Sequence, residues 1–464
     1  MTKLAPLLAA ALLSACAVHP AYQSPTVDLP DRFDPVPAEA TLATAVGDAW
    51  WSVYQDPALD ALMSEALAHN ADVHIAAARL DEARARAGIA DADRSPTVDA
   101  TLSSARTRSS LEGIPTTPRT INVHSVGLGA RYEVDLWGRY RSASAAARAE
   151  LLAADAARQT VALSLSAALA QQYFALQAAD ARVDIASQTL ASQRASLDLL
   201  KARVDAGSAA EIDALQAEAA TRAVAAELAS ARSAQESIEA RLAVLLGRSP
   251  RAIVDAAVFR ASQSAAPVIV PAGLPAELLR RRPDLVEAEQ ALIAAHARIG
   301  EARAQRLPAI ALTASLGRES TDFATLLDGS AGVFSLALGL TQPIWDAGRL
   351  KRSEEAAEAR AAQARARYRQ TVANAFADVR RALAAQRAAM DSRGAQAGRV
   401  EALGRALTHA RQRFDAGMVG RLELLDTERN LLDAQLRLAD AAASQKTAIA
   451  DLFRALGGGW TTTQ

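Results

Sequence analysis

A segment that begins near Gly138 recurs 210 positions later and stays in register through Gly247. Gly138 and Arg139 return as Gly348 and Arg349, the run RVDAGSAAEIDALQAEA from Arg203 returns as RFDAGMVGRLELLDTER from Arg413, and Leu246 and Gly247 return as Leu456 and Gly457. Upstream the offset is 212, with Asp72, Leu80, Arg86, Gly88, Arg94 and Pro96 matching Asp284, Leu292, Arg298, Gly300, Arg306 and Pro308. The two missing residues fall between Pro96 and Gly138, the one stretch without helical patterning. A fixed offset through long helices means that packing forbids insertions a loop would absorb. One structural unit of about two hundred residues is therefore used twice.

Half of the residues are apolar, enough for a large buried surface, and 51 basic against 52 acidic side chains leave no charge excess to attract nucleic acid. Only 4% are aromatic and alanine is abundant, which favours helices packed at close range. The amino terminus reads as an export signal: Lys3 is the positive region, and Leu4 to Leu13 form an apolar core too short to span a bilayer. Leu13, Ser14, Ala15 and Cys16 then resemble a bacterial lipoprotein signal, in which residues 1–15 are removed and the Cys16 thiol is acylated. Cys16 is the only cysteine, so neither an intrachain disulfide nor a cysteine metal cluster is possible. Ala17 follows it, and the aspartate that retains such lipoproteins at the inner membrane is absent. That resemblance implies an outer-membrane address.

Residues 16–55 make an acylated tether and an equatorial segment, with a Pro- and Asp-rich extended stretch from Tyr22 to Pro37. Helical patterning covers 56–95 and stops at Pro96. Residues 96–137 change to period two: Val98, Ala100 and Leu102 alternate with Asp99, Thr101 and Ser103, and Val126, Leu128, Ala130, Tyr132, Val134 and Leu136 share one face. A long helical hairpin spans 138–247. From Gly138 to Arg203 the chain has neither proline nor glycine between its ends, about 65 residues or roughly 100 Å of helix, and Gly207 breaks it. A connector (248–275) leads to the second copy of the plan: helix at 276–307, strand hairpin at 308–344, helical hairpin at 345–457 with a glycine turn at Gly417, and a tail at 458–464. The predicted fold is mainly α, duplicated, with two β-hairpins at equivalent places.

Strands of about ten residues with one apolar and one small or polar face suit an outer-membrane barrel, which needs about 9 to 11 residues per tilted strand. Four strands do not close. An open edge in lipid leaves unpaired amides at several kcal/mol each, and the smallest closed barrels have eight strands. Two chains supply eight and three supply twelve; eight are filled by their own side chains, whereas twelve leave a lumen. The helical pairs, with alanine faces for knobs-into-holes contact, would close in three copies into a hollow cylinder, while a solid coiled-coil tether accounts equally for the helices and not for the strands.

Several runs carry a family likeness: YEVDLWGR at Tyr132 to Arg139, RRRPDLVEAEQALIAAHARIGEARAQRLPAIALTASLG at Arg280 to Gly317, QPIWDAGR at Gln342 to Arg349, RFDAG through LLDTERNLLDAQ to Gln435, ALGGGW near the end and WWSVYQDPALDAL from Trp50. Together they resemble the outer-membrane efflux proteins of the TolC and OprM type, in particular the lipoprotein branch often called NodT. The resemblance implies a homotrimeric duct, with a twelve-stranded barrel in outer-membrane lipid and a long α-helical barrel in the periplasm of a Gram-negative bacterium. It also implies docking on a periplasmic adaptor (membrane fusion) protein and an inner-membrane RND-type pump, with export of drugs, metals or other small solutes. Type I protein secretion uses the same architecture, and an adaptor protein is a weaker possibility because it would carry one helical hairpin and no membrane strands.

By the same resemblance the periplasmic end is closed by an apolar ring at Leu422 and an acidic ring at Asp426, with Arg429 tying the helix to acidic groups of the first pair. Asp205, Glu211, Asp213 and Glu218 are its candidates. Three Asp426 carboxylates near one axis would repel each other and attract cations, so closure should respond to pH and salt. The first-unit counterparts, Ile212, Gln216 and Ala219, keep the apolar residue and lose both charges. The plainer reading of Asp426 and Arg429 is an exposed (i, i+3) pair. Phe414 stands where relatives often have tyrosine, which removes any latch through that hydroxyl. Gly207 and Gly417 mark the hairpin tips where an adaptor would dock, and they also end helices. The six histidines show no HExxH or comparable spacing, and there is no Walker loop, complete GxGxxG or GxSxG elbow. No cofactor and no enzyme activity are expected.

Overall fold

The computed structural model describes residues 22–26, 49–108, 120–255 and 281–459. In chain order these form α1 (Pro57–His69), α2 (Ala71–Ala92), β1 (Thr97–Arg108), β2 (Thr120–Val134), α3 (Arg139–Asp205), α4 (Glu211–Leu245), α5 (Pro250–Asp255), α6 (Pro283–Ala304), β3 (Ala309–Ser320), β4 (Gly332–Thr341), α7 (Arg349–Asp415) and α8 (Arg421–Ala455). The fold is mainly α, with one four-stranded sheet. Duplication governs the bounds: α2 and β1 return as α6 and β3 at 212 positions, and α3 and α4 return as α7 and α8 at 210. The leader, Cys16, residues 256–280 and residues 460–464 lie outside the described residues.

Helix ends repeat with their chemistry. Gly207, Gly247, Gly417 and Gly457 all take positive φ, between +67° and +87°. At each, the glycine N–H reaches a carbonyl three residues back and the next N–H reaches five back, as in Ser208 N to Arg203 O at 2.8 Å and Met418 N to Arg413 O at 2.8 Å. These are Schellman caps, which need a left-handed residue and so select glycine. The starts of α3 and α7 are side-chain capped. Asp135 accepts from the N–H groups of Tyr140 (3.2 Å) and Arg141 (2.8 Å), and Asp346 accepts from those of Gly348 and Leu350 (both 2.9 Å).

The single helix expected over 56–95 is two. Asn70 leaves the helical region (ψ 133°), and its Oδ1 caps α2 by accepting from Asp72 N at 2.8 Å. Its Nδ2 donates to Leu245 O at 2.9 Å, the end of α4. Arg282 occupies the equivalent place in the second repeat and donates to Ala455 O at 2.8 Å, the end of α8. A long-range bond to an orphan carbonyl thus breaks a helix that local propensity would continue.

The chain divides into two compact units. One holds residues 49–78, 156–255, 281–286 and 370–459 of the described chain. Its buried positions follow heptad spacing: Ala214, Ala217, Thr221, Val224, Leu228 and Ala231 on α4, and Ala434, Ala441 and Ala448 on α8. That is a coiled-coil seam of small residues. The most deeply buried aromatic side chains, Trp50, Tyr54, Tyr173, Phe174 and Phe453, lie here. Trp50 stacks on Phe453 at 5.2 Å and donates to Ser166 Oγ at 3.0 Å, and Tyr54 packs on Phe174 at 4.6 Å. Buried Asp56 caps α1 through Ala58 N (3.0 Å) and accepts from Tyr173 Oη at 2.7 Å. Burial pushes the Tyr54 hydroxyl well above the usual tyrosine range, so it stays a donor, to Lys446 O at 2.7 Å.

The other unit holds residues 22–26, 79–155 (the described part) and 287–369. Here the two expected hairpins are joined: β2 pairs with β3, giving one antiparallel sheet in the order β1-β2-β3-β4. Register places Val98 opposite Ala130, Leu128 opposite Leu316, and Leu316 opposite Phe334. Every large aliphatic residue but Ile121, Val123 and Val333 therefore falls on one face, and serines, glycines, alanines and threonines dominate the other. The apolar face is open, with Leu102 75%, Leu336 78% and Phe334 84% exposed. Gly127 lies opposite Gly317 at a close approach, where a Cβ on Gly317 would stand 2.5 Å from Val126 O. Part of the tether is docked: Tyr22 Oη and Ser24 Oγ donate to Glu289 Oε1 on α6 at 3.4 and 3.2 Å.

Candidate functional site

The turn between α7 and α8 collects the residues singled out for closure. α7 ends at Asp415 and turns through Gly417, and α8 starts after Gly420, which caps without a side chain. Glu423 in the first turn complements the positive end of the helix. Leu422, Asp426 and Arg429 follow at spacings of four and three, which puts them on one helical face. Leu422 is 68% exposed, and its counterpart Ile212 on α4 is 58% exposed. Each repeat thus presents an apolar side chain to whatever lies beyond the hairpin.

Asp426 Oδ1 accepts from Arg429 Nη2 at 2.6 Å, and its Oδ2 accepts from Asn430 Nδ2 at 3.3 Å. Arg429 is thereby paired on its own helix, not with an acid of the first pair. Of the four candidates named for it, Glu218 pairs instead with Lys201 (3.8 Å) and Arg222 (3.4 Å). Both partners of the Asp426–Arg429 pair are more than half exposed, so it contributes only about 0.2–0.5 kcal/mol within one chain. Its carboxylate remains available to a second surface.

Three contacts at this turn escaped the sequence reading. Arg413 pairs with Glu423 at 3.0 Å and Arg411 with Glu428 at 3.3 Å, each bridging α7 to α8. The Arg421 guanidinium lies over the Phe414 ring at 5.6 Å, a cation–π contact that a phenyl ring makes as well as a phenol. The repeat carried a signal for one of them: Lys201 and Glu218 stand 210 positions before Arg411 and Glu428 and make the matching bridge. At the tips, a Cβ added to Gly207 or Gly417 meets nothing within 4 Å, so their glycine requirement is conformational alone.

Among the described residues no group of three or more His, Cys, Asp or Glu side chains could hold a metal ion, and no helix is long and apolar enough to cross a membrane. Among the described residues, the exposed apolar sheet face has the pattern of a lipid contact.

Comparison with known proteins agrees with this geometry. The family model described as outer membrane efflux protein matches residues 62–248 and 274–458, which are the two repeats. The cation efflux system protein CusC of Escherichia coli O6:H1 is 33% identical over 462 residues, covering 99% of each chain. The solvent efflux pump outer membrane protein SrpC of Pseudomonas putida is 33% identical over 467 residues, covering 99% of this chain and 98% of that one. Among solved structures, the outer-membrane channel OprN superposes with a TM-score of 0.89 at 30% identity, covering 96% of this chain and 100% of that one.

Proposed function

The chain belongs to the outer membrane efflux protein family, and on that premise we propose that three copies form the exit duct of a tripartite system, closed by an iris at the α7–α8 turn. Its function is that of an outer-membrane efflux channel, and its place is the outer membrane of a Gram-negative bacterium. The observation that carries the trimer is the sheet: four strands, one continuous apolar face in the open, and two unpaired edges, β1 and β4. Open edges are excluded from lipid, and twelve strands from three copies close with a lumen. The acylated Cys16 would add a lipid anchor.

Flow through such a duct is passive, driven from a periplasmic adaptor and an inner-membrane RND-type pump. Relatives in the family are channel proteins rather than enzymes, and this chain supplies a path and carries no chemistry of its own. The relatives named for cations and for solvents share its full length, which fits a conduit whose selectivity resides in its partners. At the closed end Leu422 from three copies forms an apolar ring and Asp426 an acidic one, steadied by Arg429, with Phe414 holding Arg421 behind them. The turns at Gly207 and Gly417 face the adaptor.

Light scattering of the species extracted in mild detergent should give three chains. Conductance in planar bilayers should then rise in Asp426→Ala over wild type. A single chain, or unchanged conductance in a trimer, overturns the barrel or the gate respectively.

A further inference from the structure

Charge is segregated on the four-stranded sheet. The register puts Arg106 and Arg108 of β1, His124 of β2 and Arg318 of β3 on the face that carries Leu102 and Leu316, whereas Asp99, Arg131, Glu133 and Glu319 fall on the other. The apolar face thus holds three of the strands' four arginines, their one histidine and none of their three acids. All four basic side chains also sit at one end. Arg318 lies opposite Val126 at the border of the aliphatic band, His124 is two residues further on, opposite Ser104 and Ser320, and Arg106 lies beyond, opposite Asn122. This is the end of the hairpin loops, and the strand ends joined to α2, α3, α6 and α7 are the others. At those ends the same face finishes on Tyr132, Val134, Ile310 and Leu340, without a charge.

Resting on the barrel reading, in which this face meets lipid and its loop end meets the outer leaflet, we propose that these side chains bind the head group of a glycolipid that carries phosphates on its sugars. Arginine offers phosphate a planar fork of donors. Arg106 and Arg108 are exposed, and their own face of the sheet supplies no carboxylate to neutralise them. Arg318 Nη1 donates to the carbonyls of Leu327 and Asp328, the second at 2.7 Å. Those bonds fix the guanidinium beside the loop and leave its charge in place, because a carbonyl brings a dipole and no net charge. His124 Nδ1 is 2.8 Å from Ser104 Oγ, and Phe323 of the loop, 66% exposed, stands edge-on to the imidazole at 5.6 Å. Apolar surface therefore continues among the charges. A free anion needs the charges alone, whereas a lipid needs them at the border of an apolar band, with long side chains reaching from stem to head group. From the level of Leu102 to Arg108 is six residues of β1, about 20 Å along the strand. A head group with more than one phosphate fills that span, and a single phosphodiester does not.

Lipid retention by the full-length protein in mild detergent tests this, read by native mass spectrometry after incubation with bisphosphorylated lipid A. Arg106→Gln with Arg108→Gln, both exposed on the sheet, should weaken retention by about tenfold. Arg131→Gln, on the opposite face, should leave it unchanged. The monophosphoryl form should be held more weakly than the bisphosphoryl form, and added salt should bring wild type towards the double variant. Neither phosphatidylglycerol nor inorganic phosphate should displace the bound glycolipid. Equal retention by wild type and the double variant overturns the site, and so does displacement by phosphatidylglycerol, which would mark a general anionic-lipid contact. Displacement by inorganic phosphate overturns it too, reducing the cluster to an anion site. Each of these results in a species that extracts as three chains leaves the barrel standing. Extraction of wild type as one chain would instead remove the barrel, and the lipid site with it.

Discussion

Gly247 and Gly207 have nearly the same backbone, φ +71° and +69°, and the same cap, yet replacing them should have different consequences. A Cβ at Gly207 meets nothing within 4 Å, so Gly207→Ala pays only the left-handed penalty, about 1–2 kcal/mol. A Cβ at Gly247 would stand 2.1 Å from His69 O and 2.5 Å from His69 C. Those are backbone atoms at the α1–α2 break, next to Asn70, whose side chain is committed to α2 and to Leu245 O. They cannot rotate aside. Overpacking adds about 1–3 kcal/mol, which brings Gly247→Ala to about 2–5 kcal/mol. At about 2–4 °C per kcal/mol, the value for domains of 150–250 residues, the two alanine variants should melt about 2–12 °C apart. Scans at one fixed rate on detergent-extracted protein read this difference, and asparagine separates the causes. Asn tolerates positive φ, so Gly207→Asn should melt near wild type while Gly247→Asn stays low. Equal shifts for Gly207→Ala and Gly247→Ala would refute the claim that the close approach, and not the turn alone, selects glycine at 247.

Three further expectations follow from contacts elsewhere. The Arg248 hydrogen bonds at 2.6 and 3.0 Å hold the Glu65 carboxyl below the usual glutamate range. Its folded value is depressed, so the pair stabilises at and above the usual glutamate range and loses that contribution as pH falls below it. Glu65→Gln should cost about 1 kcal/mol at pH 7 and flatten the melting profile in that acid window. Arg282 is 7% exposed and holds Ala455 O, Asp284 and Asp378 together, so Arg282→Ala should destabilise by about 3–5 kcal/mol in chemical denaturation. Arg282→Asn, which copies Asn70 in the first repeat, should recover part of it. Arg411→Ala with Arg413→Ala removes both bridges from α7 to α8, and should raise bilayer conductance and speed chymotryptic cleavage at Phe414, whereas Lys201→Ala should do neither.

Much of the candidate site was legible because it is local. Spacings of four and three set Leu422, Asp426 and Arg429 on one face, and the glycine after RVDA and RFDA announced both turns. What the turn does between helices was less legible. Arg429 pairs with Asp426, three residues away, and the bridges across the hairpin come from Arg411 and Arg413, whose partners lie 17 and 10 residues on. Several acids stand near enough in sequence to compete for an arginine, and only the azimuth of each helix about its axis selects one.

The sequence alone determined the duplication, its two offsets, the glycine helix ends and the two-residue period of the strands, since each depends on propensity and spacing over a few residues. Tertiary structure decided how those pieces join. β2 pairs with β3 across nearly two hundred residues, merging two hairpins into one sheet with two open edges. Asn70 and Arg282 reach the carbonyls that end α4 and α8, and Glu289 captures Tyr22 and Ser24. These contacts link groups far apart in the chain, whose proximity depends on packing of the whole and leaves no periodic trace.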